Sequence, residues 1–110
     1  KAFVAAYEKE YGVVPSLYAA QGYEAAKLID GALAKTGGKV SDREAFRKAL
    51  AAAPFKSIRG AFSFQTNGYP KQNFYVVKAV KRADGKFATE IVSKVFDNAG
   101  DAYVGQCPLK

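Results

Sequence analysis

A chain of 110 residues, 49% hydrophobic and 25% charged, has room for one domain with one core and lacks the composition of a disordered or low-complexity segment. No run reaches the roughly 18 apolar residues of a membrane span. With no histidine, and one cysteine, Cys107, that has no Cys or His at metal-ligand spacing, no metal or other cofactor is expected, and any disulfide partner of Cys107 lies outside the chain. The excess of 17 Lys and Arg over 10 Asp and Glu, a net +7, raises nucleic acid, an anionic membrane or an acidic ligand as a partner. Lys1 to Tyr7 already carries a helical pattern without an initiator methionine, so we expect a piece of a longer protein.

Helix one is predicted over Ala2 to Tyr11, with Phe3, Val4, Tyr7 and Tyr11 on one side, Glu8, Lys9 and Glu10 on the other, and Gly12 as its stop. Helix two is entered through Val14-Pro15-Ser16 and runs to Thr36. Pro15 suits the first helical turn, where its missing N–H is not needed, and Gly37 suits the left-handed position that ends a helix. Tyr18, Gly22, Ala25, Ile29 and Ala32 recur at steps of four and three and form one stripe, widened by Leu28 and Leu33. Its small members allow a large apolar partner to approach closely. Ser41-Asp42-Arg43-Glu44 reads as a capping box opening helix three, with the Ser41 hydroxyl and the Glu44 carboxylate satisfying free N–H groups. The buried side should hold Phe46, Ala49, Leu50 and Ala53, and Pro54 ends the helix.

From Ile58 the period changes to two. Gly60 to Phe64 reads as a strand, Asn67-Gly68 as its turn, and Phe74 to Arg82 with Phe87 to Phe96 as a β-hairpin closed by Asp84-Gly85. Asp97 to Lys110, rich in Gly and Asp, reads as an extended tail. Helices followed by antiparallel strands suggest α+β on their own account. Yet three amphipathic helices face few strands, and a domain this small buries only about 60 to 65% of its unfolded surface. The pattern predicts either missing sheet or a second copy of the chain.

One ordered series of residues spans the chain. Phe3-Val4-x-x-Tyr7 leads to Tyr11-Gly12-x-x-Pro15, then Tyr18-Ala19-Ala20-x-Gly22-Tyr23-x-Ala25, then Asp42-Arg43 at a helix start, then Phe55-x-x-Ile58-x-Gly60-x-Phe62-x-Phe64 with Asn67-Gly68. The series resembles the C-terminal part of the type I periplasmic solute-binding proteins of ABC transporters, the branched-chain amino acid receptor group. The likeness runs from Phe3 to about Phe96. The resemblance implies an α/β fold, a partial type I periplasmic-binding fold in which two lobes, each a Rossmann-like parallel sheet flanked by helices, are hinged by three crossovers around a ligand. Within it, residues 1–68 would belong to the first lobe, 69–73 to a hinge crossover, and 74–110 to the second lobe. It also implies a periplasmic or other extracytoplasmic, non-enzymatic protein that hands a small solute to an ABC importer permease. The remaining N-terminal portion of the same protein would then be a partner, with self-association of the fragment as another way to cover its faces.

In this group the segment entering the second helix faces the cleft, so the resemblance carries ligand contact to Pro15, Ser16, Leu17 and Tyr18. A helix start offers free N–H groups to a carboxylate, Ser16 a hydroxyl and Tyr18 a ring. The plainer reading is that Pro15 and Ser16 only begin the helix while Leu17 and Tyr18 pack into the core. Glu8, Glu10, Glu24 and Asp30 fall on polar helix faces and read as solvated. Lys71, Lys78, Lys81, Arg82, Lys86 and Lys94 surround the aromatic hairpin, and a free-standing α+β module binding nucleic acid or protein through it is the alternative reading. Charges on a hairpin more often protect a sheet edge, so nucleic acid is not expected as a partner. No serine stands in a recognisable nucleophile context, so no catalytic residue is assigned.

Overall fold

In a computed structural model that describes residues 2–107, α1 (Ala2–Tyr11), α2 (Leu17–Lys35) and α3 (Arg43–Ala51) precede β1 (Ser63–Phe64), β2 (Pro70–Lys81) and β3 (Phe87–Ala99). A 3₁₀ turn, Val104–Gln106, follows. The three strands form one antiparallel sheet in chain order.

The helix ends depart in detail from the sequence reading. Ser16, extended at φ −79° and ψ 173°, is the N-cap of α2, and its Oγ accepts the Ala19 N–H at 3.3 Å. Pro15 therefore stands just outside the helix rather than in its first turn. Gly37, at φ 59°, takes the left-handed position expected of it, and the Gly38 N–H closes the end on the Leu33 carbonyl at 2.8 Å. For α3 the cap is Asp42, not Ser41: Asp42 Oδ1 accepts the Ala45 N–H at 3.0 Å. A carboxylate at a helix start also meets the positive end of the dipole, so it outcompetes the neighbouring hydroxyl. Glu44, freed from capping, pairs with Lys48 at 2.8 Å.

The buried line of α2 is also rotated from the predicted stripe. Ala20, Glu24, Leu28 and Ala32, at steps of four, are buried or half-buried, flanked by half-buried Ala19, Lys27, Gly31 and Leu33, whereas Tyr18, Gly22, Ala25 and Ile29 are exposed. Helix α2 packs on α3, and Ala32 on one and Ala49 on the other are the buried apolar residues, with no more than 7% exposure. Gly31 belongs to the same close approach, since a Cβ there would run into the Pro54 carbonyl.

The predicted first strand, Gly60 to Phe64, shortens to Ser63–Phe64, and the hairpin lengthens at its open end to Pro70 and Ala99. Gly68 at φ 78° makes the β1–β2 turn, with Gln65 N–H on the Tyr69 carbonyl at 2.8 Å. Asp97 to Ala99, expected in an extended tail, continues β3, and the chain then curls because Asp101 Oδ1 accepts the Tyr103 N–H at 2.9 Å. Residues 108–110 of that tail lie outside the described residues. The register of β2 on β3 shifts around Gln72, Phe74 and Tyr75, opposite Asn98 at φ 47°. Asn73 Oδ1 accepts the Asn98 N–H at 2.8 Å and holds this irregular stretch together.

The core is thin. Among the described residues no large side chain is fully buried, and the structure extends 50 × 34 × 16 Å. Both hairpin strands leave Phe74, Val76, Val77, Ile91, Val95 and Phe96 exposed. Contiguous apolar surface on this scale marks an interface.

Candidate functional site

The turn from α1 into α2, with Pro15 and Ser16, and the first residues of α2, Leu17 and Tyr18, carry the four predicted ligand positions. Gly12, at φ 70°, reverses the chain after α1, and Pro15 is half-buried where the segment rejoins the body. Leu17 is 60% and Tyr18 79% exposed, so neither is core in this chain. Ser16 Oγ spends one lone pair on the Ala19 N–H and keeps its proton to donate. Ser16 O takes the Ala20 N–H at 3.2 Å, which leaves the Leu17 and Tyr18 N–H groups at the mouth of the helix, as at any α-helix start.

Beside this mouth, α1 and α2 enclose a groove of about 540 Å³ lined by Phe3, Tyr7, Tyr11, Gly22 and Tyr23. Phe3 meets Tyr23 at a centroid distance of 4.9 Å, and Tyr7 meets Tyr11 at 4.5 Å. The hairpin tip holds α1 in place. Arg82 Nη1 donates to Glu8 Oε1 at 2.7 Å, and Lys86 Nζ donates to the Gly12 carbonyl at 2.7 Å, where a cation also meets the negative end of the α1 dipole.

Sequence reasoning missed the one buried charge among the described residues. Glu24, expected to be solvated, is 3% exposed. Its Oε2 accepts from Arg59 Nε at 2.6 Å and lies 2.5 Å from Arg59 Nη2, while Oε1 accepts from the Ser57 hydroxyl and, at 2.8 Å, from the Ile58 N–H. Burial pushes the Glu24 carboxyl up, but the Ser57 and Arg59 bonds, the Arg59 charge and the Ile58 N–H outweigh it and hold the group below the usual glutamate range. Arg59 Nη1 goes on to Gln72 Oε1 at 2.9 Å, so the network joins α2 to the start of β2. No local pattern pairs residues 35 positions apart. The available signal was Glu24 itself, which interrupts the line Ala20, Leu28, Ala32.

The basic hairpin is largely committed to internal contacts. Lys78 lies 3.5 Å from Glu90, Lys94 2.8 Å from Asp97, and Arg82 2.8 Å from Asp84, in addition to its bond with Glu8. Among the described residues no group of three or more His, Cys, Asp or Glu is placed to hold a metal ion.

Comparison with known proteins decides the family: a family model described as periplasmic binding protein matches residues 1–86. The chain belongs to the periplasmic binding protein family. Its fold is similar to that of an ABC transporter solute-binding protein from R. palustris in complex with benzoate. That structure is 33% identical, with a TM-score of 0.79 over 92% of this chain and 27% of that one. An ABC transporter substrate-binding protein from Sphaerobacter thermophilus is 29% identical, with a TM-score of 0.75 over 88% of this chain and 27% of that one. No curated protein matches. This periplasmic binding protein chain thus spans about a quarter of the length of the solved structures it resembles, and its three helices and antiparallel sheet are part of their α/β fold.

Proposed function

We propose that this chain is the C-terminal part of an extracytoplasmic receptor that captures a small carboxylate-bearing solute between two lobes and delivers it to an ABC importer, without covalent chemistry. The observation that carries the reading is the 33% identity over 92% of the chain to a solute-binding protein whose structure holds benzoate. Residues 1–68 build the first lobe, 69–73 form a crossover, and 74–110 enter the second lobe. The exposed stripe of α2 and the exposed apolar hairpin support this division, because each needs cover that this chain does not supply.

Pro15, Ser16, Leu17 and Tyr18 form this chain's share of the cleft. The N–H groups of Leu17 and Tyr18 and the Ser16 hydroxyl suit a carboxylate, and the exposed Tyr18 ring suits an aromatic or branched apolar body. An aromatic carboxylate fits this set first, and branched-chain amino acids and amides follow. The test is a thermal-shift and calorimetric screen of the full-length receptor against benzoate, branched-chain amino acids and aliphatic amides. Binding of a carboxylate-bearing solute, weakened about 10-fold or more by Tyr18→Ala, is the expected result, equivalent to about 1.4 kcal/mol. Unchanged affinity in Tyr18→Ala would remove the helix mouth from the site, and binding of amides alone would overturn the carboxylate assignment.

A further inference from the structure

Arg59 stands between two bodies that share few other ties. On one side it is fixed to α2, with Nε and Nη2 on the buried Glu24 carboxylate and its own N–H on Ser57 Oγ at 3.0 Å. On the other, Nη1 reaches Gln72 Oε1 at 2.9 Å, at the base of the hairpin. The β2–β3 ladder loses its regular register next to this contact, between Gln72, Phe74 and Tyr75, and Asn98 takes a left-handed conformation opposite. A ladder so interrupted bends more easily there than in its regular stretch from Val77 to Lys81. The remaining polar ties between helices and hairpin, Arg82 to Glu8 and Lys86 to Gly12, lie at the far tip.

We propose that Arg59 is a positioning residue, a strap anchored on Glu24 that sets through Gln72 the angle at which the hairpin leaves the helical layer, and so biases the opening of the two lobes. The inference rests on the reading of residues 69–73 as a crossover. A packed helix supplies the rigid anchor, since Arg59 must give up both of its bonds to a buried carboxylate, itself held in place by Ser57 and Ile58, before it can swing. Gln72, by contrast, offers one acceptor on a half-buried residue, a single bond that can be made and broken as the lobes move while the Glu24 pair holds.

Gln72 is the place to test this, because changing it leaves the Glu24–Arg59 pair intact. In the full-length receptor carrying Cys107→Ser, with Arg82→Ala and Lys86→Ala releasing the hairpin tip from α1, spin labels at Lys35→Cys on α2 and Thr89→Cys on β3 report the angle between the bodies. A second pair at Lys35→Cys and Arg47→Cys reports the helical layer alone. Gln72→Leu removes the acceptor, and Gln72→Glu replaces it with a carboxylate that forms an ion pair with the guanidinium. The 35–89 distance distribution, measured by pulsed electron spin resonance without solute, should widen in Gln72→Leu and narrow in Gln72→Glu. The 35–47 distance should stay fixed in both variants. If the 35–89 distribution is broad but identical in the Gln72 parent and both variants, the strap is wrong and the crossover reading survives. If it is as narrow as the 35–47 distribution in all three, there is no hinge at 69–73 and both fall.

Discussion

Arg59 places two nitrogens on a single oxygen of Glu24, Nε at 2.6 Å and Nη2 at 2.5 Å, which frees the other carboxylate oxygen for Ser57 and Ile58. Removing Arg59 leaves a buried carboxylate with two hydrogen bonds and no counter-charge. Arg59→Ala should therefore destabilise the full-length receptor by about 3 kcal/mol. Arg59→Lys should recover only part, because one ammonium cannot meet both Glu24 and Gln72 in the planar geometry of a guanidinium. Urea unfolding measures both, and a loss below about 0.5 kcal/mol in Arg59→Ala would mean that the pair is no more than a surface contact.

Acid should dissolve this network. The folded pKa of Glu24 lies below its unfolded value of about 4.3, so the folded state binds fewer protons in that range. Its stabilisation is fully present above the unfolded pKa and is lost as pH falls through the folded one. The stability gap between wild type and Glu24→Gln should be constant near neutral pH and shrink below about pH 4. Denaturant titrations at a series of pH values test the sign, and a gap that widens in acid would contradict it.

Ser16 is assigned two roles that one substitution can separate. Ser16→Ala should cost about 1 kcal/mol through loss of the α2 cap. Ser16→Asp caps equally well but sets a negative charge at the helix mouth, so stability should hold while a carboxylate solute binds more weakly. Parallel melting curves and titrations of the two variants distinguish capping from recognition; equal affinity in Ser16→Asp and wild type would exclude Ser16 from contact with the solute.

Two glycines on α2 should respond differently to alanine. Gly31→Ala drives a methyl into Pro54 and should destabilise by about 1 to 3 kcal/mol. Gly22 has open space in this chain, where alanine alone would gain up to about 1 kcal/mol in helix propensity. In the full-length receptor, if a second layer covers the stripe as proposed, Gly22→Ala should instead lose stability. A gain there, read from the unfolding midpoint, would mean that this face stays in water.

Local chemistry made much of the architecture legible. The first helix with its stop at Gly12, the left-handed Gly37 and the Asn67-Gly68 and Asp84-Gly85 turns each depend on residues within a few positions of one another. The cap at Asp42 instead of Ser41 is a contest between adjacent acceptors that composition alone does not decide. The family series, spread from Phe3 to Phe96, was legible for the same reason, because it is an order of residue types along the chain.

Sequence by itself determined that helices precede an antiparallel hairpin, that the helix entered at Ser16 has a competent N-terminal mouth, and that the chain has too little sheet for its apolar faces. Periodicity, caps and turns act over one or two turns of chain, so they can be read without the fold. Only the tertiary structure decided which face of α2 is buried here and that Glu24 crosses 35 residues to Arg59 and onward to Gln72. A side chain's burial depends on what distant segment arrives against it, and a carboxylate is solvated or held by an arginine according to that arrival alone.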